Sequence, residues 1–204
     1  MKTCYIIRHA DKEIGDFYNP VLRHQDQPIS AKGQQDATKL YFFLADKPVS
    51  AIYVSAYQRT RQTIEYAAQQ LGLVPEVDDR LNEIANGYID GLDEQEFKER
   101  FPEAWKAYME RKYDFRFPGG ETGEEARMRI MNFLTEKMDR HNSESIVIVT
   151  HEGLIRIMMC AIMGLPVYKR WNFHADFCGI TEIIFQPEYD EWKLIRFNQV
   201  CPWK

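Results

Sequence analysis

The stretch CYIIRHADKE, residues 4–13, is an apolar run that ends abruptly in an arginine, a histidine and several charges. Two similar runs follow, VSAIYVS at 49–55 and ESIVIVT at 144–150, and each precedes polar residues and then a helical pattern. Continuous β-branched runs of this kind are typical of strands buried on both faces of a parallel sheet. The three runs predict an α/β fold: a three-layer sandwich with a mostly parallel central sheet flanked by helices.

Capping signals mark the helices between these strands. Ser30 is a suitable N-cap for the first helix, and Gly72 is suited to end the second. Thr122 and Glu125 have the spacing of a capping box before a later helix. Near the end of the chain, the apolar segments 179–186 and 191–198 are separated by PEYD, which predicts a hairpin that closes the sheet.

The chain is predicted to form one domain. No repeat, low-complexity tract or linker divides residues 1–204. Within the domain, the charged helical segment 86–117, interrupted by Pro102, is predicted to be a lid or flanking element. Residues 10–29 form one long irregular connection, and connections of that length are often functional.

Composition excludes several classes of protein. A formal net charge of -5 and a pI near 5.6 argue against a partner that is a nucleic acid or an anionic membrane. No apolar run is long enough to span a bilayer, and the N-terminus lacks signal-peptide features, so we expect a cytoplasmic protein. The cysteines, which form no CxxC pair and are expected to be reduced and buried, are Cys4, Cys160, Cys178 and Cys201.

Cationic side chains follow all three predicted parallel strands. Arg8 and His9 come after the first strand, Arg59 lies just beyond the second, and His151 follows the third. Ligands of open parallel sheets bind outside the carboxyl ends of the strands. The arginine fork suits phosphate oxygens, and histidine can be a nucleophile or a donor near neutral pH. These positions predict a phosphate pocket.

Five motifs, in order along the chain, make this sequence resemble the histidine phosphatase superfamily, the phosphoglycerate mutase-like enzymes. IIRHADKE resembles the first-histidine motif, DQPISAKGQQDA the helix that follows it, and SAYQRTRQT the second-arginine motif. LNEIANGYIDGL resembles the loop that supplies the acid, and VTHEGLIR resembles the second-histidine motif. Together they cover most of the chain.

The resemblance implies a role for each matching residue. His9 would be the nucleophile that takes the phosphoryl group, while Arg8, Arg59 and His151 would clamp the phosphate. Glu83 would protonate the leaving oxygen and then activate the water that hydrolyses the phosphohistidine. The imidazole nucleophile needs its other ring nitrogen held by a hydrogen bond, as to a backbone carbonyl. No metal or cofactor is implied, and the expected partner is a small phosphorylated substrate.

This sequence departs from the family pattern near the predicted site. Ala10 stands where the family has a glycine, and Ala56 and Tyr57 replace a proline and a leucine. Glu152 follows the second histidine, where a glycine is usual, and we expect its carboxylate to contact the substrate and favour a less anionic or a cationic one. The family's phosphate-binding asparagine has its nearest counterpart in Asn19, which is predicted to bind substrate.

Several other polar residues are predicted to lie outside the chemistry. Arg61 should face away from Arg59 and remain a surface cation, because residues two apart on a helix point in different directions. His24, His141 and His174 match no catalytic motif and are expected to be exposed or structurally hydrogen-bonded, although His174 is close enough to a late strand to line the pocket. Glu121 is expected to support a helix cap.

The predicted function is a metal-independent phosphatase that hydrolyses a phosphomonoester through a phosphohistidine. Two enzymatic alternatives remain, a phosphoglycerate mutase and a protein-phosphohistidine phosphatase. A compact chain favours the phosphatase over the mutase. A non-catalytic phosphate-binding scaffold would be favoured by loss of a catalytic residue, and none is lost. The physiological substrate and the oligomeric state stay open at this point.

Overall fold

The central sheet carries the site at one edge. The computed structural model describes residues 2–22, 24–140 and 145–200. The strands of the main sheet are β1 (Lys2–Arg8), β4 (Val49–Val54), β5 (Glu76–Val77), β6 (Ser145–Thr150), β7 (Ile180–Gln186) and β8 (Glu191–Gln199); β2 (Tyr18–Asn19) and β3 (His24–Gln25) form a separate hairpin. The six strands lie in the order β5-β4-β6-β1-β7-β8. Strands β5, β4, β6 and β1 are parallel, β7 is antiparallel to β1, and β8 is antiparallel to β7.

Helices cover both faces of the sheet, because its central strands are apolar on both sides. In β1, Cys4 and Ile6 pack into one core, while Tyr5 and Ile7 pack into the other. The helices are α1 (Ala31–Leu44), α2 (Gln58–Leu71), α3 (Glu94–Arg100), α4 (Pro102–Glu110), α5 (Gly123–Arg140) and α6 (Glu152–Ile162). The first core is covered by α5 and α6, and the second by α1 and α2. The predicted fold class, a three-layer α/β sandwich with a mostly parallel sheet, is confirmed.

The capping signals of the sequence have the expected contacts. Ser30 Oγ accepts the Gly33 amide at the start of α1, and Gly72 ends α2 with a left-handed φ of 68°. Thr122 and Glu125 each accept the other's backbone N–H at the start of α5. The β7–β8 hairpin closes the sheet as predicted.

Segment 86–117 packs beside the carboxyl edge of the sheet. Pro102 separates α3 from α4 and begins α4, as its missing N–H favours. Phe97 is buried in the same core as α5 and α6, and Trp105 packs against its ring edge-on, with centroids 5.4 Å apart. These contacts fit a flanking element. Its role as a lid, and the division of the chain into a single domain, stay predictions.

Three further points concern the cysteines and His141, membrane-spanning helices, and metal-binding groups. Cys4, Cys160 and Cys178 are buried, while Cys201 and His141 lie outside the described residues. Among the described residues, no helix is both long and apolar enough to cross a bilayer. Within the same residues, no group of three or more histidine, cysteine, aspartate and glutamate side chains is arranged to hold a metal ion.

Candidate active site

Most of the predicted site residues line one cleft at the carboxyl ends of β1, β4 and β6; His151, predicted to clamp the phosphate, is fully buried and is not part of its lining. The cleft has a volume of about 480 Å³. The lining residues come from the ends of the strands, the 10–29 connection, segment 83–91, α6 and the turn that follows it: Arg8, His9, Lys12, His24, Gln25, Gln27, Tyr57, Arg59, Glu83, Ile84, Asn86, Asp90, Gly91, Glu152, Gly153, Arg156 and Trp171.

His9 is buried at the floor of this cleft, and its ring orientation is fixed by a backbone carbonyl. Nδ1 lies 2.8 Å from the oxygen of Ala10. A carbonyl can only accept, so Nδ1 carries the proton and Nε2 keeps its lone pair. No described residue is a hydrogen-bond partner of Nε2. Burial, reinforced by the charge of Arg59, holds the pKa of His9 well below its ordinary value of 6.5. His9 is thus a neutral imidazole with a free nitrogen.

His151 is fully buried beside His9, with the ring centroids 5.2 Å apart. Its Nδ1 accepts a hydrogen bond from Arg59 Nη2 at 3.2 Å, and its Nε2 lies 2.8 Å from Ser55 Oγ. Because a guanidinium only donates, Nε2 carries the proton and donates to the serine. Burial lowers the pKa of His151, and Arg59 lowers it further. Arg59 and Ser55 therefore fix both the ring and its tautomer.

Arg59 comes from the first turn of α2 and is almost completely buried. Its guanidinium carbon lies 4.2 Å from the centroid of the Tyr57 ring, and the same ring meets His151 edge-on at 4.9 Å. Asp26 is the nearest paired carboxylate, 4.0 Å from Nη1. The buried Nε of Arg59 has no hydrogen-bond partner among the described residues. A cation with so little compensation favours an anion in the cleft.

Arg8 is the last residue of β1 and directly precedes His9. Its Nη1 donates to the Ala175 carbonyl at 2.5 Å and lies 3.1 Å from Glu152 Oε2. The Phe177 ring stacks on the guanidinium at 4.1 Å. Burial lowers the pKa of Arg8, and Glu152 opposes that shift. Arg8 is held rigidly and still lines the cleft.

Glu83 lines the cleft and lies against the amino end of α6. Its Oε2 accepts the Gly153 amide at 3.2 Å, and its Oε1 accepts the amides of Leu154 at 3.1 Å and Ile84 at 2.9 Å. His151, the N-cap of α6, makes no side-chain capping bond, so Glu83 caps the helix from 70 residues away. A Cβ on Gly153 would lie 2.5 Å from Oε1, so only glycine allows this approach.

The loop that carries Glu83, residues 80–85, is called the acid loop below. Glu121 Oε1 accepts the Ala85 amide at 2.9 Å, and Arg129 donates to the carbonyls of Arg80 at 2.6 Å and Glu83 at 3.3 Å. Glu121 and Arg129 also pair with each other at 2.6 Å. The prediction that Glu121 supports a helix cap is wrong, since Thr122 and Glu125 complete the cap and Glu121 holds the acid loop instead.

Two predicted substrate contacts lie differently from expectation. Asn19 is not among the residues that line the cleft: its Oδ1 accepts the amides of Val21 and Leu22, and its Nδ2 donates to Asp26 at 3.1 Å. The predicted phosphate contact of Asn19 is therefore corrected to a turn contact, because its side chain is used within the β2–β3 hairpin. Glu152 does line the cleft.

The charge of Glu152 is already compensated. Oε2 pairs with Arg8, while Oε1 accepts from Arg156, from His174 Nδ1 at 2.9 Å and from the Ala175 amide at 3.4 Å. Surrounded by cations, this carboxylate sets the positions of Arg8 and Arg156. Its predicted contact with substrate, and the preference for a less anionic or cationic substrate, stay predictions.

The remaining polar residues divide between the cleft and the surface. Arg61 is exposed and lines a different groove, as expected. His174 is exposed and bonded to Glu152 and Asp176 and does not line the cleft. His24 is hydrogen-bonded to Asp90 at 3.0 Å, as expected of a structural histidine, yet it also lines the cleft.

Several cleft residues were not assigned to the site from the sequence. Lys12 lies in the IIRHADKE motif, and Gln27 comes from the 10–29 connection, whose length marked it as functional. Tyr57 was visible only as a departure from the family pattern. Asp90 and Arg156 lie within the LNEIANGYIDGL and VTHEGLIR motifs, but only the tertiary structure shows that their side chains line the cleft.

This arrangement places a neutral imidazole nitrogen in one cleft with two guanidinium groups and a carboxylate, beside a second, buried histidine. Such a set suits an anion that is attacked by nitrogen while charge grows on its oxygens. The helix amides of α6 add further positive potential. Chemically, the cleft is equipped for transfer of a phosphoryl group.

Known proteins share both the sequence pattern and the fold. The family model for the histidine phosphatase superfamily (branch 1) matches residues 4–200. Phosphoserine phosphatase 1 of Hydrogenobacter thermophilus is 32% identical, over 98% of this chain and 94% of the relative. A Shigella dysenteriae protein named "probable phosphoglycerate mutase GpmB" is 28% identical, over 91% of this chain and 86% of the relative.

The solved structures agree in fold. The mycobacterial glucosyl-3-phosphoglycerate phosphatase in complex with inorganic phosphate superimposes with a TM-score of 0.83 over 100% of both chains. The sequence identity is 21%, so this likeness concerns the fold. A Bacillus stearothermophilus protein, YhfR, superimposes with a TM-score of 0.82 at 24% identity, over 96% of both chains.

Proposed function

The chain belongs to branch 1 of the histidine phosphatase superfamily, and from this membership we propose that it hydrolyses small phosphomonoesters through a phosphohistidine formed on His9. One observation carries the proposal. The Ala10 carbonyl holds the proton on His9 Nδ1 and leaves Nε2 free in a cleft with Arg8 and Arg59.

In the first half of the reaction, Arg8 and Arg59 bind the phosphate oxygens, and His151 holds the Arg59 guanidinium in place through its Nδ1. His9 Nε2 attacks phosphorus, an N–P bond forms, and the P–O bond to the leaving group breaks. Charge spreads over the equatorial oxygens, where the guanidinium groups stabilise it. Glu83 gives its proton to the leaving oxygen, and the alcohol departs.

In the second half, water attacks the phosphohistidine. Glu83, now a carboxylate, takes a proton from the water as the new P–O bond forms and the N–P bond breaks. The electron pair returns to His9 Nε2, and inorganic phosphate leaves. The low pKa of His9 supports this cycle, because the imidazole is neutral and nucleophilic at each start.

The substrate is proposed to be a small phosphorylated metabolite, and O-phosphoserine is the first to test because of the relative named phosphoserine phosphatase. A second candidate is a phosphoglycerate mutase, which the 28% identical relative favours. An assay of 3-phosphoglycerate, with and without a bisphosphate primer, separates the two. Isomerisation without release of phosphate would overturn the phosphatase proposal.

The central test is His9→Ala. The wild-type protein should hydrolyse O-phosphoserine or p-nitrophenyl phosphate and form an acid-labile phosphoenzyme, and both should be lost in the variant. Treatment with EDTA should leave the wild-type rate unchanged, because every proposed step uses side chains alone. A protein that binds phosphate but hydrolyses no phosphomonoester would instead be a phosphate-binding scaffold.

A further inference from the structure

Lys12 is a cation of the cleft to which the proposed mechanism gives no role. It lies in the 10–29 connection and its backbone position is fixed: Lys12 forms an antiparallel bridge with Ile29. The amide of Glu13 donates to Pro28 at 2.9 Å, and that of Ser30 donates to Asp11 at the same distance. The side chain therefore starts from a rigid base at the wall of the cleft.

Lys12 also differs from its cationic neighbours in its pairing. Each of the others has a carboxylate within 4.0 Å: Arg8 and Arg156 share Glu152, Arg59 approaches Asp26, and His24 pairs with Asp90. Lys12 Nζ donates to the amide oxygen of Gln27 at 3.2 Å, and within the described ranges no carboxylate lies within ion-pairing distance. Burial lowers the pKa of Lys12 and Arg59 lowers it further, while the more distant charges of Asp90 and Glu83 oppose the shift.

A half-buried ammonium with no carboxylate in ion-pairing distance is costly, and an anionic ligand group would reduce that cost. In the proposed mechanism, the guanidinium groups of Arg8 and Arg59 already bind the transferred phosphate. The cleft, at about 480 Å³, is also much larger than a phosphate ion, so the rest of a small substrate fits inside it. Lys12 lines the same cleft, and the proposed phosphate contacts do not use it.

We propose that Lys12 binds a carboxylate that the substrate carries beside its phosphomonoester, and that the substrate is therefore a phosphorylated small amino or hydroxy acid. The inference rests on the proposed phosphatase function and adds a specificity-determining residue to it. A compact ammonium makes a point-charge contact of this kind without the bidentate geometry of arginine.

Two pairs of substrates, each differing in the carboxylate, test the proposal. O-phosphoserine is compared with O-phosphoethanolamine, and 3-phosphoglycerate with glycerol 3-phosphate. In Lys12→Met, the ratio of kcat/KM for the carboxylate-bearing member to that for its partner should fall about 10- to 100-fold in the pair that the wild type hydrolyses, as expected for loss of a charged hydrogen bond. Lys193→Met, an exposed lysine of β8 outside the cleft, is the matched control and should keep the ratio.

The outcomes separate the two proposals. If Lys12→Met lowers kcat/KM equally for both members of a pair, Lys12 binds the phosphate itself; this overturns the inference while the phosphatase proposal stands. If kcat/KM changes for neither member, the inference is also overturned. If the wild type hydrolyses neither these four compounds nor p-nitrophenyl phosphate, the phosphatase proposal has failed. Calorimetry of His9→Ala and of His9→Ala/Lys12→Met with the four compounds tests Lys12 whenever none of the four is hydrolysed. If, in that calorimetry, Lys12→Met weakens the binding of both members of each pair equally, the inference is overturned.

Discussion

Gly153→Ala should separate the role of Glu83 in the reaction from its role in stability. The added Cβ would lie 2.5 Å from Glu83 Oε1 and 3.0 Å from Ile84 Cγ2. A glutamate carboxylate is the mobile end of a side chain, so it will turn away from α6 and give up its bonds to the Gly153 and Leu154 amides.

The free energy of unfolding should change little. Losing a helix cap costs about 0.5–2 kcal/mol. Replacing glycine by alanine inside a helix returns about 1 kcal/mol. The two contributions nearly cancel, so urea denaturation of Gly153→Ala should give a stability within about 1 kcal/mol of wild type.

Catalysis should fall sharply for substrates with poor leaving groups. A positioned acid or base contributes about 10²–10⁴-fold, and the displaced Glu83 should lose about 10²-fold or more of kcat/KM on O-phosphoserine. Phosphoryl transfer from p-nitrophenyl phosphate should fall less, because nitrophenolate leaves without a proton. Since the same carboxylate activates water, rapid-mixing experiments should show a burst of about one nitrophenolate per enzyme, followed by slow turnover.

The double variant Glu83→Ala/Gly153→Ala is the control. If Gly153→Ala acts through the carboxylate, the double variant should be no slower than Glu83→Ala alone. Full activity of Gly153→Ala on O-phosphoserine, or additive losses in the double variant, would refute the assignment of Glu83 as the acid held by α6.

Stability should fall as the pH drops below about 6.5, because burial keeps the pKa of His9 and of His151 low in the folded chain while the unfolded chain takes up the protons; each contributes up to about 1.4 kcal/mol per pH unit. Urea titrations at several pH values should show that the free energy of unfolding depends less steeply on pH in His9→Asn/His151→Gln than in the wild type. The same pH dependence in both proteins would contradict the argument. Tyr57→Leu should raise the inhibition constant of inorganic phosphate about 3- to 10-fold by removing the ring beneath Arg59, whereas Tyr57→Phe should keep it near wild type. Arg129→Gln should loosen the acid loop and lower kcat for O-phosphoserine more than for p-nitrophenyl phosphate; equal losses would indicate a general structural role.

Much of the site was predictable because strand ends are local features. Arg8 and His9 follow one apolar run and His151 follows another, and parallel strands present their carboxyl ends at the same edge. The β1–β6 register places Arg8 beside Thr150, which brings the two histidines together. The prediction for Asn19 was wrong because it relied on position along the chain, where an asparagine after the first motif suggested a phosphate contact. In the folded hairpin, Asn19 Oδ1 accepts the amides of Val21 and Leu22 instead.

The sequence by itself determined the strands, the helix ends and the identity of the groups around a phosphate, since apolar periodicity and capping act over a few residues. Only the tertiary structure decided which charged groups of the cleft pair with each other and which contacts hold them in position. Glu83 caps α6 from 70 residues away, and Glu152 pairs with Arg8 and Arg156. Lys12 donates to Gln27 and has no carboxylate within ion-pairing distance among the described residues. Electrostatic pairing depends on distance in space, and the fold sets that distance independently of the local pattern.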